Sequence, residues 1–411
     1  MFLLNFFSNL YCSFFLKILV KFLRNLVIDN GFILVSHNNQ TFDISEVTKD
    51  SLKLKIKNKY LYRKIIFLPG MSFGEGYMNG EIQIENGNVS NFLEIILKNV
   101  GNKDSIFKES LILRALQVVK NIIKKNNIFN SKKNVSHHYD ISDELYKTFL
   151  DTRMQYSCGY FINKDDSLEK AQENKIKFII KKLKITKDCR VLDIGSGWGG
   201  LSIEIAKQTG AMVLGVTLSE NQLKHSKLAA KESGVDDLVD FKLMDYRNIH
   251  ESFDRIVSVG MFEHVGKEYY QIFFNKVSNM LKDNGIALLH TIGSLGTPKP
   301  VEPWITKYIF PGGYIPTISE ISPVIEKSKM LISDLEIWRT HYAKTLDMWK
   351  KNFMGSRSEV LDMFNEEFIR MWEYYLASCQ YSFIYNRNVV FHILLSKKLD
   401  TIPVTRDYMY N

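Results

Sequence analysis

The chain has 411 residues, 45% of them hydrophobic and 24% charged, with a formal net charge of +9. This size and balance exclude a disordered tail or a single small module and imply two domains with a real core. Four scattered cysteines (12, 158, 189 and 379) without a CxxC pair exclude a disulfide framework and a structural zinc site, and fit a reducing cytoplasm; the basic balance suits an anionic partner, nucleic acid or lipid.

The N-terminus, MFLLNFFSNLYCSFFLKILVKFLRNLVIDNG, carries no charge before Lys17, followed by Lys21 and Arg24. Fifteen uncharged residues (2–16) reach roughly 22 Å as a helix, short of the ~30 Å hydrocarbon core. The charges follow the apolar run and no small-residue cleavage site appears, which argues against a signal peptide. Residues 1–27 are expected to form an interfacial helix, or one packed on its own protein or on a second subunit.

Residues 28–123 read as a small α+β domain. FILVS (32–36), LKLKIK (52–57) and YRKIIF (62–67) suggest strands; glycines in FLPGMSFGEGYMNGE mark turns; and Asn88 opens a helix through Leu97. A further helix is expected over 104–125. KKNNIFNSKKN then makes 124–136 a basic linker that could lie on an anionic surface.

From 137 to 411 the pattern implies one catalytic domain. LEKAQENKIKFIIKKL (168–183) is an amphipathic helix. Strands at 190–197, 212–219, 239–245, 253–265 and 284–292 alternate with helices at 201–210 and 221–234. Alternating βα units imply a parallel, doubly wound α/β sheet. A Pro/Gly-containing insert (303–316) precedes an aromatic-rich stretch expected to be helical through about 398.

DIGSGWGG (193–200) is a strand–glycine–helix turn in which a ligand can approach the backbone. Glycines 195, 197 and 200 also satisfy the dinucleotide spacing, so spacing alone leaves NAD and S-adenosylmethionine open. The second strand, however, ends in Thr217 where an NAD enzyme places Asp or Glu for the ribose. Asp245 ends the third strand, placed to meet an adenine amine. The residues favour S-adenosylmethionine.

Several ordered segments together resemble the cyclopropane-fatty-acyl-phospholipid synthases (the mycolic acid cyclopropane synthase-like methyltransferases). They are GEGYMNGE (74–81), HYDISDELYKTFLDTRMQYSCGYF (138–161), VLDIGSGWGGLSIEIAKQTGAMVLGVTLSENQ (191–222), DYR (245–247), FEHVG (262–266), LLHTIG (288–293) and HYAKTL (341–346). The resemblance implies a class I S-adenosylmethionine-dependent methyltransferase (Rossmann-like) domain behind a smaller N-terminal lipid-binding domain. It implies methylene transfer to a cis double bond of phospholipid acyl chains, with bound bicarbonate as general base. By the same resemblance, Cys158, Glu263, His290, Tyr342 and the Ile292 backbone surround the bicarbonate, and Cys379 falls at a cysteine sometimes assigned as catalytic. A thiolate beside a sulfonium would itself be methylated, so a pocket wall or a buried structural cysteine suits Cys379 better. Cofactor contacts carry over to Tyr156, Ser157, Gly195, Gly197, Thr217, Gln222, Asp245 and Tyr246; Tyr160 and Phe161 would wall the acyl pocket. Gly159 stands where many members have Ala, and Ser196 where many have Cys.

The resemblance further implies a homodimer acting on anionic membrane phospholipid from the cytoplasmic side, peripheral to the inner face, with no nucleic acid and no metal. Other readings are a same-family enzyme that stops at a methyl-branched chain, and a non-catalytic lipid-binding protein.

Overall fold

A computed structural model describes residues 2–101 and 142–410, with side chains from Tyr11 through Val100 and from Ser142 onward. The helix expected over 104–125, the 124–136 linker and the HYD that opens the 138–161 segment lie outside these residues. The described residues fall into two compact units. The first takes those within Met1–Arg114 together with Glu302–Ile309 and Trp349–Asn386; the second takes the rest.

In the first unit, short alternating runs pair into a four-stranded sheet of β1 (Phe32–Val35), β2 (Thr41–Ile44), β3 (Lys53–Ile56) and β4 (Ile82–Glu85), in the order β2-β1-β3-β4. Helix Phe2–Leu26 buries Cys12, Leu16, Leu19, Val20, Leu23 and Leu26, a 3–4-residue stripe, against its own unit. From Cys12 on, the helix is therefore self-packed, with Lys17, Lys21 and Arg24 exposed. No helix among the described residues is long and apolar enough to cross a membrane.

YRKIIF, expected as a strand, lies in helix Leu61–Phe67. Its buried residues Leu61, Tyr62 and Ile65 follow a helical period, and no strand partner is left for it. Gly74 and Gly76, expected in turns, lie inside helix Pro69–Met78. Close approach explains Gly74: a Cβ there would meet the Trp304 ring at 2.5 Å.

The second unit is built on seven strands, β5 (Arg190–Ile194), β6 (Met212–Thr217), β7 (Val239–Leu243), β8 (Phe253–Val259), β9 (Leu281–Ser294), β10 (Leu331–Trp338) and β11 (Asn388–Ser396), in the order β10-β11-β9-β8-β5-β6-β7. The five from β5 to β9 are parallel, as the βα alternation predicts. β11 runs antiparallel between β9 and β10, so the helical expectation through 398 fails at β10 and again after Tyr385. NVVFHILLS is mostly apolar, with only His392 interrupting Val389–Leu395, and this pattern fits a doubly covered strand as well as a helix. Its register against β9 sets His392 opposite His290.

The core packs Leu192, Leu214 and Ile256 of the sheet with Phe262, Phe273, Phe274 and Phe391. Each such side chain contributes about 1.5–3 kcal/mol on burial. The parallel strands end along one edge, with β5 at the point where chain order reverses.

Candidate active site

At that edge, past the ends of β5, β6 and β7, a cleft opens. Tyr156, Ser157, Gly195, Gly197, Thr217, Gln222, Asp245 and Tyr246 all line it. The loop leaving β5 turns through left-handed Gly195 and Gly197 (φ 83° and 56°), and a Cβ at 197 would project into open space. Helix Gly200–Thr209 begins just beyond, which brings its free N–H groups toward the loop. Thr217 ends β6 and donates its hydroxyl to Gln222 Oε1 at 2.7 Å. Gln222 is set by its helix cap, Ser219 Oγ accepting its N–H at 3.3 Å. Asp245 accepts from Arg247 Nε at 2.8 Å and Nη2 at 2.6 Å, and burial pushes the Tyr246 phenol up.

Gln155, Trp198 and Arg247 also line the cleft and were not singled out from the sequence; His264, the sequence's alternative to Glu263 for the pocket-facing residue there, lines it too. Two had a signal: Trp198 stands inside DIGSGWGG, and Arg247 follows Asp245 in DYR. Glu263 and His264 both follow an expected strand end, one facing the pocket and the other a helix, with Glu263 expected to be the pocket residue. β8 in fact stops at Val259, and Phe262–His264 is a short 3-10 turn that gives His264 to the cleft. Burial lowers His264 to about 4, so the imidazole is neutral at pH 7.

Glu263 instead reaches the end of β9. β9 runs on to Ser294 after β8 has stopped, so the Ile292 N–H outruns its neighbouring strand. Glu263 Oε1 accepts that N–H at 2.6 Å, and Oε2 is buried without a hydrogen-bond partner among the described residues. Burial raises the carboxyl to about 7, against the lowering pull of the Ile292 N–H. Two residues back, His290 is buried and its Nδ1 has no partner. Burial, then the charges of Lys175 and Lys182, hold this imidazole well below its ordinary range, hence neutral. Its carbonyl accepts the N–H of Gly260, which itself lines the cleft, so the two regions adjoin.

Cys158 is fully buried, its Sγ donating to Gly159 O at 3.3 Å, and burial pushes the thiol well above its usual range. The Gly159 N–H donates to Thr345 Oγ1 at 3.0 Å, one turn along helix His341–Gly355 from buried Tyr342. Tyr160 and Phe161 do not line the cleft. Tyr160 lies against Phe178, Trp338 and His341 (ring centroids 4.7–4.9 Å), and Phe161 stacks near His341 at 6.2 Å. Cys379 is on helix Glu366–Tyr385 in the first unit, where burial pushes its thiol up to about 12. The five expected base-site residues thus share the second unit, and Cys379 does not.

The chain matches the family described as mycolic acid cyclopropane synthetase over residues 126–393. It is 37% identical over 332 residues to the cyclopropane-fatty-acyl-phospholipid synthase of Escherichia coli (strain K12), covering 80% of this chain and 84% of that one. Among solved structures, the cyclopropane synthase MmaA2 from Mycobacterium tuberculosis is similar with a TM-score of 0.63 and 32% identity, covering 65% of this chain and 98% of that one. Mycolic acid cyclopropane synthase CmaA1, solved complexed with SAH and CTAB, gives a TM-score of 0.61 at 31% identity, covering 64% and 97%. The glycine loop, the parallel strands and the antiparallel β11 are thus parts of a class I methyltransferase fold. The chain belongs to the mycolic acid cyclopropane synthetase family and is an S-adenosylmethionine-dependent methyltransferase.

Proposed function

We propose that this enzyme transfers a methylene from S-adenosylmethionine to the cis double bond of unsaturated acyl chains in anionic membrane phospholipids. The observation that carries this reading is the sealed Glu263–Ile292–His290 group adjoining the cleft through Gly260. When bound, S-adenosylmethionine supplies the new carbon as a methyl group, and closing the ring then needs the loss of one proton. An isolated alkene is a weak nucleophile, so holding the reactants aligned supplies much of the rate. The cleft does the holding: Gly195 and Gly197 leave room beside the backbone, and Thr217, Gln222 and Asp245 offer polar atoms for ribose and adenine.

Proton removal belongs to the buried group. A small oxyanion such as bicarbonate fits it, because Glu263 Oε2 and His290 Nδ1 are buried polar atoms without partners, and Cys158 and Tyr342 add a thiol and a phenol. Bicarbonate, when bound, supplies a general base. Glu263, raised to about 7, can take or return a proton at neutral pH, and His290 stays neutral. The Cys158 thiol stays protonated, so it does not compete for the methyl group.

Access to the lipid is attributed to the first unit. Tyr11, Phe14, Tyr60, Phe67 and Leu68 are exposed there, on or beside two packed helices that also expose Lys17, Lys21, Arg63 and Lys64. Aromatic side chains among basic ones suit a peripheral contact with an anionic bilayer. Liposome flotation tests it: binding should require acidic lipid, weaken with salt and fall on Phe14→Ser/Phe67→Ser. Binding indifferent to all three contradicts it.

Mass spectrometry of lipids from cells expressing the protein tests the chemistry. A gain of one CH₂ (about 14 Da) with loss of the double bond, co-eluting with a cyclopropane standard, is expected. Co-elution with a methyl-branched standard would replace ring closure by simple methylation, and unchanged lipids would remove both.

A further inference from the structure

Helix Leu168–Lys182 carries two lysines, Lys175 and Lys182, whose side chains are completely buried. Seven residues apart, they lie on one face of the helix. Burying an ammonium is strongly unfavourable unless a counter-charge meets it. Lys182 has one: its Nζ is 2.6 Å from Glu336 Oε2 and 3.8 Å from Asp334 Oδ1. Lys175 does not. Among the described residues its Nζ makes a single hydrogen bond, to Ser157 Oγ at 2.6 Å, and no carboxylate oxygen comes within 4.0 Å.

The acidic groups that Lys175 feels act from beyond ion-pair distance and spend their hydrogen bonds elsewhere. Asp151 accepts the N–H groups of Gln155 (2.8 Å) and Arg153 (3.2 Å), and Asp193 accepts the Ser202 hydroxyl at 2.7 Å. Nor is Lys175 needed to hold the backbone of the wall. Gln172 Nε2 does that, donating to Ser157 O at 2.8 Å and Gln155 O at 3.3 Å, while the Tyr160 N–H donates to Ala171 O at 2.9 Å. Among the described residues the Lys175 ammonium hydrogen-bonds only the Ser157 side chain, and its positive charge reaches Cys158 and His290.

We propose that Lys175 is a positioning residue of the proton-removing site: its ammonium fixes the Ser157 hydroxyl in the wall shared with the cofactor cleft, and its charge, met by no direct ion pair, holds a small oxyanion beside Cys158 and His290. This rests on the function proposed above. It accounts for two buried lysines on one helix being treated differently, one neutralised within the protein and the other left for a ligand to neutralise.

The test uses the full chain with Lys175→Gln, which removes the charge while an amide can keep the Ser157 hydrogen bond, and Lys175→Arg, which restores the charge. Two readouts are taken in bicarbonate-depleted buffer: the bicarbonate concentration for half-maximal turnover, and the rise in unfolding temperature on adding bicarbonate to the protein saturated with S-adenosylhomocysteine. Lys175→Gln should raise the half-maximal bicarbonate concentration by about 10-fold or more and abolish the thermal rise. Its affinity for S-adenosylhomocysteine should stay within about 3-fold, and Lys175→Arg should recover most of the anion response. An anion response unchanged in Lys175→Gln, or absent from the wild type, overturns the proposal. If Lys175→Gln does not fold, Lys175→Arg decides alone: a lost anion response in the folded variant counts against a role for the charge. The thermal readout needs no catalysis. A wild type that bicarbonate stabilises but that makes no cyclopropane lipid would remove the proposed function and leave the Lys175 assignment standing.

Discussion

One sheet edge carries two regions built on opposite terms. Past β5, β6 and β7 the chain opens a cleft from glycines and short polar side chains, and its polar groups are largely paired: Thr217 with Gln222, Asp245 with Arg247. Past β8 and β9 the chain closes over polar atoms that it leaves unpaired, Glu263 Oε2 and His290 Nδ1. The first arrangement suits a large ligand held by shape and several modest contacts. The second buries a carboxyl oxygen and an imidazole nitrogen short of a partner, which a small ion can supply. A methyl transfer followed by a proton loss needs both.

Substitutions on the two sides should therefore fail differently. The largest effect is expected at Gly199, which has φ 90° and whose Cβ would sit 2.7 Å from both Phe241 and Ser226. Gly199→Val should cost about 2–6 kcal/mol by urea unfolding, from strain plus overpacking, and abolish cofactor binding. Next comes Glu263→Gln, expected to cut turnover about 10²–10⁴-fold while cofactor affinity holds. Asp245→Asn should do the reverse, weakening the cofactor about 10-fold by calorimetry with a nearly unchanged maximal rate. The smallest effect is expected at Cys379: with its thiol pushed up to about 12, Cys379→Ser should leave turnover within about 2-fold.

A pH series sharpens the sealed side. Glu263 is raised from 4.5 to about 7 in the folded protein, so the folded state binds the extra proton between those values. Its contribution to stability is greatest below pH 4.5, declines as pH rises and is fully lost above about 7. Glu263→Gln lacks this titration and should gain stability relative to wild type across that window, by at most about 3 kcal/mol. A constant difference from pH 4.5 to 8 would mean that the carboxyl is not held protonated.

The same division explains what the sequence made legible. The cleft is written locally: DIGSGWGG, GVTLS and MDYR each place cofactor-side residues at a strand end, so one pass along the chain finds them. The buried side joins Glu263 to Ile292 across segments far apart in the chain, and only family resemblance linked these with 158, 290 and 342. Its support was hidden further. Lys175 looked like any lysine of an amphipathic helix until the helix face was seen to point inward. β11 escaped because its apolar residues flank a single His392 with no period to distinguish strand from helix, and YRKIIF because an apparent alternation also fits one helical face.

The account is tested most directly by measuring turnover on unsaturated phospholipid vesicles and the dissociation constant of S-adenosylhomocysteine on the same preparation of Glu263→Gln. A fall in turnover of about 100-fold or more, with the dissociation constant within about 3-fold of wild type, is the result expected if the sealed side removes the proton and the cleft holds the cofactor. Parallel losses of both, or turnover near wild type, would contradict that division.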